Sequence, residues 1–309
     1  MYRGRKIVAF TPYGREATVS LLLPYLRREH ARGVLDEWML CLNMDPHQIQ
    51  DEAYARKLTE TYPWIKSFQC PGPRTPNLAG QVPKHWMDGY RQPKQLNTMR
   101  FFWYMGNAPD ARDTIFIRFD DDVIWLHDNC IRALVDFKLD FPQSLGVFPI
   151  IWNNAVSSSI MQRWGHQPWQ WPRVAMNAVD PVGWGDPYFA EAVHNLLLHH
   201  LEHDHEDACI EPNKWVELGW RQQFSVSCFA IDGKEYADCG GVLNWDEEEH
   251  WLTMHIPTIV RRSNYVYGGA QCAHWTFYTQ RDYLNSRTNL LDRYRVFADR
   301  LTDELDRGT

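Results

Sequence analysis

The sequence predicts an α/β fold: a Rossmann-like, mostly parallel central sheet flanked by helices, followed by a less regular C-terminal half. Three observations carry that expectation. Through residues 1–152, short β-branched and aromatic runs alternate with stretches of helical periodicity, as in a doubly wound sheet. One of those runs, "TIFIRF", leads straight into Asp120, Asp121 and Asp122, and open α/β sheets bind ligands beyond the carboxyl ends of their strands. Finally, 309 residues of which 44% are apolar can bury one large core or two tightly fused halves.

The first strand is "KIVAFT" at 6–11, closed by "PYGRE"; Val19, Leu22, Leu23 and Leu26 then recur at helical spacing over 16–31. Pro24 falls inside that span, which predicts a kink or a later helix start. "VLDEWMLCLN" (34–43) and "WIKSFQC" (64–70) supply the next strands, with a helix beginning at Asp45 between them. A loop rich in Pro and Gly follows. Then come a helix at 95–106, the strand Thr114–Phe119, a helix over 127–138 and the strand-like "LGVFPIIW" (145–152). Residues 153–187 read as one long loop carrying Trp164, Trp169, Trp171 and Trp184, and long structured loops are commonly functional. A helix at 188–203 and strand-like "QFSVSCFAI" come next. "DEEEHWLTMHIP" starts a helix with Asp246 as N-cap. A strand pair turning at Gly268–Gly269 and one amphipathic helix over 280–305 complete the pattern.

Composition narrows the function. A net charge of −7 and a pI of about 6.0 argue against a general nucleic-acid binder. Seven scattered Cys with no CxxC pair predict a reduced, cytoplasmic chain. "MYRGRKIVAF" lacks the apolar core of a signal peptide, and no window approaches the roughly 18 apolar residues of a membrane span. GxGxxG and P-loop patterns are absent, which excludes the usual dinucleotide and Walker phosphate sites. Fifteen Trp, several in polar Gly- and Pro-rich segments, offer flat faces to sugars or bases.

Three adjacent carboxylates at the end of a core strand call for a cation. Alternate residues of an extended segment point the same way, so Asp120 and Asp122 are expected to share one ion while Asp121 faces elsewhere. Hard ions such as Mg²⁺ or Mn²⁺ take carboxylate oxygens together with substrate phosphate oxygens. The plain alternative is a solvated acidic turn with Asp128 capping the next helix.

"FIRFDDDVIWL" (116–126) resembles the DXD segment of glycosyltransferases with the GT-A fold, and the later acidic segment resembles that of inverting, family-2-like members. The resemblance implies a nucleotide-sugar-binding half over 1–152 and an acceptor-binding, catalytic half over 153–309, continuous with the first. It also implies Mn²⁺ or Mg²⁺, a nucleotide-sugar donor (a UDP-sugar foremost) and a carbohydrate or other hydroxyl acceptor. Modified DNA as acceptor fits the acidic balance less well. By the same resemblance, Thr11, Pro12, Tyr13, Gly14 and Arg15 would seat the nucleotide, with Tyr13 stacking on the base. Arg91, Lys94, Asn97 and Arg100 of "YRQPKQLNTMR" would neutralise its diphosphate. Asp120 and Asp121 would contact the donor, and Asp120, Asp122 and His274 would hold the metal. In "NWDEEEHWLT" (244–253), one carboxylate among Asp246, Glu248 and Glu249 would remove the acceptor proton.

Two rival functions remain in view. A sugar nucleotidyltransferase would need a Gly-rich basic loop after the first strand, and "TPYGREAT" is a poor version. A non-catalytic carbohydrate-binding protein would use the Trp-rich region alone. His199 and His203, spaced i, i+4, resemble a zinc pair, but His200 stands where HExxH proteases carry their Glu.

Overall fold

The computed structural model describes residues 1–44, 47–68, 94–241 and 248–308, with the backbone alone for 94–97, 99 and 100. The chain begins β1 (Lys6–Tyr13), α1 (Glu16–Ala31), β2 (Glu37–Leu42), α2 (Ile49–Thr61) and β3 (Ile65–Phe68). After residue 93 come α3 (Lys94–Asn107), β4 (Thr114–Phe119), β5 (Val123–Leu126), α4 (Cys130–Asp140) and β6 (Gly146–Trp152). The second half adds α5 (Ala155–Trp164), α6 (Pro187–Glu202), β7 (Trp215–Leu218), β8 (Cys228–Asp232) and α7 (Gly233–Asp238). It ends with α8 (Glu248–His250), α9 (Ile256–Val260), β9 (Asn264–His274), α10 (Arg281–Arg287) and α11 (Leu290–Arg307).

Among the described strands the sheet order is β3-β2-β1-β4-β8-β6-β9-β5, with β7 pairing on β9. Strands β1 to β4 are mutually parallel. Strand β8 enters antiparallel between β4 and β6, and β6 then runs parallel to β9. The result is a mixed sheet flanked by helices, in the GT-A-like α/β class that the sequence predicts. One consequence decides the site: β1, β2, β4, β6 and β9 all end at the same edge, where β8 begins.

Every residue of β4 is buried, as expected of a central strand covered on both faces. Phe101, Phe102 and Met105 of α3 are fully buried, with Phe101 packing 4.6 Å from Phe10 of β1. Helix α3 also lies against the turn after α7 so closely that a Cβ on Gly106 would stand 2.1 Å from Gly241 Cα, and Gly241 itself needs φ +60. Only glycine fits that crossing.

The structure corrects several sequence expectations. Helix α1 runs unbroken through Pro24. The Trp-rich span is not all loop: Asn154 caps Ser157 N, and α5 continues to a left-handed Gly165. Its three serines hide the helix from an apolar-periodicity reading, yet they are buried, and Ser157 Oγ accepts from Ile151 N at 3.0 Å. No hairpin turns at Gly268–Gly269. Neither glycine has positive φ, and β9 is one strand with 268–270 inserted as a bulge between the pairs Pro149↔Tyr267 and Ile150↔Gln271. The C-terminal helix is two, separated by extended Thr288. No described helix is long and apolar enough to cross a membrane.

His194 of α6 ties the C-terminal helices to the end of the sheet. Its Nε2 donates to the Trp275 carbonyl at 2.9 Å, so in the neutral ring Nδ1 accepts from Tyr294 Oη at 3.0 Å. Burial holds this imidazole down at about 4, against 6.5 for a free histidine. The unfolded chain therefore takes up a proton near pH 6.5 that the native chain refuses until about pH 4. Stability from this group is full above that window and falls by about 3 kcal/mol as the pH drops through it. Urea midpoints measured at neutral pH and near pH 5 should separate more in the wild type than in His194→Gln. Equal separations would assign the titration elsewhere.

Candidate active site

At the shared strand edge the triplet is not extended. Val123 N donates to Asp120 O at 3.0 Å, closing a turn that sends the aspartates in different directions. The expected pairing of Asp120 with Asp122 is therefore corrected. Asp121 and Asp122 share the Arg15 guanidinium instead, at 2.7 and 2.8 Å. Asp120 turns to Arg118, whose Nε donates to Asp120 Oδ1 at 2.7 Å and whose Nη2 donates to Glu248 Oε1 at 2.6 Å. Asp122 also faces His274, with Oδ1 3.3 Å from Nε2. Strand pairing brings these two together: Val123 is in register with His274, and Trp275 N donates to Asp122 O at 2.7 Å.

The electrostatics are crowded. Four carboxyl groups (Asp120, Asp121, Asp122 and Glu248) face two guanidiniums (Arg15 and Arg118), a formal surplus of two negative charges. Burial pushes Asp120 up despite Arg118, with repulsion from Asp122 and Glu248 adding to it. Burial likewise pushes Asp121 up to about 7, only partly offset by Arg15. Burial would raise Asp122 too, but His274 and Arg15 outweigh it and hold its carboxyl well below the usual carboxylate range. Burial works against the charge of Arg15 and Arg118, and the surrounding carboxylates more than restore it.

A divalent ion would meet that surplus, and Asp122 with His274 fits one. Their 3.3 Å separation is near the ~3 Å between adjacent ligands of an octahedral ion with bonds of about 2.1 Å. Among the described residues no three His, Cys, Asp or Glu side chains already converge on one point, so further oxygens must come from substrate or water, as is usual for Mg²⁺.

Unmatched polar atoms mark the same edge. Of nine buried side-chain atoms without a hydrogen-bond partner among the described residues, four belong to residues at or just past the ends of parallel strands: Asn43 Oδ1, Arg118 Nη1, Asn153 Oδ1 and His274 Nδ1. Folded proteins satisfy nearly all such groups, so a cluster of them points to an absent ligand or ordered water. On the far side a ladder of rings leads outward. Phe277 lies 4.5 Å from His274 and 6.3 Å from Trp184, and Trp184 meets exposed Tyr278 edge-on at 5.0 Å. Thr279 Oγ1 and Gln280 Nε2 fix this arrangement by donating to Trp184 O at 2.8 and 3.1 Å.

The remaining expected residues divide. Gly14 lies against the triplet, where an added Cβ would meet Asp121 Oδ2 at 3.3 Å. Thr11 is buried, and its hydroxyl accepts from Trp38 Nε1 at 2.9 Å. Pro12 stays in the strand, opposite Cys41. Tyr13 is fully buried with its hydroxyl on Asp51 O at 2.7 Å, so its ring cannot stack on a base; that expectation is corrected. Glu249 points to Gln223, whose Nε2 donates to Oε1 at 2.6 Å. Asp246 and Arg91 lie outside the described residues, as do the side chains of Lys94, Asn97 and Arg100. His199 and His203 are exposed and their rings pack at 4.3 Å, with no third ligand among the described residues. Sequence reasoning missed Arg118; a charged residue inside "IFIRF" was the available signal, because Arg is rarely buried unpaired.

No protein-family model matches this chain, and no curated protein does either. Among solved structures that match is a 4-diphosphocytidyl-2C-methyl-D-erythritol synthase from Anaerococcus prevotii. It aligns over 95% of this chain and 99% of its own, with a TM-score of 0.39 and 9% identity. A likeness that slight carries no argument about function.

Proposed function

We propose that this chain is a metal-dependent transferase acting on a nucleotide-activated donor, and more narrowly a glycosyltransferase that passes a sugar to an acceptor hydroxyl with inversion. One observation supports this above the others. Arg118 bridges Asp120 and Glu248, so a late carboxylate stands one guanidinium away from the strand-end acids. Inverting transfer needs that combination of a site for the leaving phosphates and a separate base. Nucleotidyl transfer would need a Gly-rich basic loop after β1, and "TPYGREAT" has a single glycine and a single arginine there.

Asp122 and His274 are the residues that would hold Mg²⁺ or Mn²⁺, with substrate or water oxygens completing its shell. The ion, when bound, supplies positive charge against the departing diphosphate. Glu248 is held through Oε1, and its Oε2 receives the acceptor proton. The acceptor oxygen then bonds to the anomeric carbon from the side opposite the donor phosphate, whose bond to that carbon breaks and whose oxygen keeps the electron pair. Trp184 and Tyr278 offer the acceptor flat apolar faces.

A thermal-shift screen of nucleotide sugars with and without Mn²⁺, followed by product analysis, tests the reading. The expected result is a metal-dependent rise in Tm for one donor, a nucleoside diphosphate product and an inverted anomer. Release of pyrophosphate would make the chain a nucleotidyltransferase. Sugar binding indifferent to chelator and to Asp120→Ala with Asp122→Ala would make it a binding protein.

A further inference from the structure

Beside the triplet, reached through Arg15, is a cavity of about 180 Å³ whose lining includes Arg15, Thr18, Asp51, Trp275, Arg281 and Asn285. Most of its polar groups are already committed. Asp51 accepts from Glu16 N at 2.7 Å and from Gln48 Nε2 at 2.8 Å. Asn285 Oδ1 accepts from Trp275 Nε1 at 2.9 Å. The Thr18 hydroxyl donates to Asp121 O. Arg281 is different: its Nε is buried without an acceptor, and it forms no salt bridge among the described residues. A buried charged donor left unmatched is costly, and an anionic ligand oxygen would remove the cost.

We propose that this cavity is an anion subsite in which Arg281 and Arg15 grip a phosphate group, the one that departs with the nucleotide. Identifying the phosphate as the donor's rests on the function proposed above; the anion subsite does not. A guanidinium fork matches phosphate oxygens two at a time. Arg15 is now spent on Asp121 and Asp122. A divalent ion taking Asp122 frees Arg15 Nη1 toward the phosphate while Nη2 stays on Asp121, so ion and anion favour each other's binding, reciprocally.

Calorimetric titration of the full chain with inorganic pyrophosphate in EDTA tests the subsite without any reaction. Without the ion Arg15 stays on Asp121 and Asp122, so the saturable binding expected is through Arg281, weakened about tenfold or more in Arg281→Met and unchanged in Arg287→Met, an exposed arginine of the same helix. Arg281→Lys, which keeps the charge but has no Nε, should fall between them, and it carries the test if the methionine variant fails to fold. Unaltered affinity in Arg281→Met or Arg281→Lys would overturn the proposal. Uridine diphosphate should compete with pyrophosphate; simultaneous binding of both would overturn the departing-phosphate assignment. A chain that binds pyrophosphate through Arg281 yet transfers no sugar would refute the donor reading and leave the subsite standing.

Discussion

Replacing Asp122 with alanine should abolish metal-dependent donor binding and lower transfer on the order of 10³-fold or more. Among the three aspartates it alone meets both a strand-end imidazole and Arg15, the residue before α1. It is also the one held firmly ionised, while its neighbours are pushed toward protonation. An ion arriving at neutral pH thus finds a ready carboxylate here, whereas burial pushes Asp121 toward its neutral form. Asp122→Asn keeps the shape, removes the charge and should fail equally. Folding should suffer much less than activity, because loss of Asp122 also relieves repulsion on Asp120 and Asp121, and Arg15 retains Asp121. Mn²⁺ titration in the presence of donor, beside steady-state kinetics, reads both effects. Retention of the Mn²⁺-dependent donor shift in Asp122→Ala would move the metal to other ligands.

The second large effect is expected at Glu248. Glu248→Gln preserves an oxygen for Arg118 but has no carboxylate to take a proton, so kcat should fall about 10²- to 10⁴-fold with donor affinity unchanged. Glu249→Gln should cost a few-fold at most, since Glu249 is turned toward Gln223. The split between kcat and donor binding separates a base from a merely structural acid. Wild-type turnover in Glu248→Gln would shift the role to Asp246.

Much of the first half was legible because its signals are local. The run "TIFIRF" occupies the predicted strand without a residue's difference, and β-branched runs between helical stretches gave the parallel strands in order. What escaped depends on distant partners. The bulge at 268–270 looks like a hairpin in isolation, since only its pairing with β6 and β7 reveals a continuous strand. The turn at Asp120 to Asp122 is set by a backbone hydrogen bond and by β5 pairing with β9, which no alternation rule can register. Tyr13 looked available because it follows a strand, but α2 supplies a carbonyl that buries its hydroxyl. Arg118 and Glu248 meet across 130 positions of sequence, and their partnership is visible only in space.

The placement of β8 has a consequence for any attempt to divide the chain. Among the described strands it is the sole link between β4 and β6, yet it comes from the second half. A fragment ending at residue 152 would leave β4 as a long, apolar open rim and β6 with no neighbour to lie against. Such a piece is expected to self-associate rather than to fold alone, and sizing of the isolated 1–152 fragment checks it.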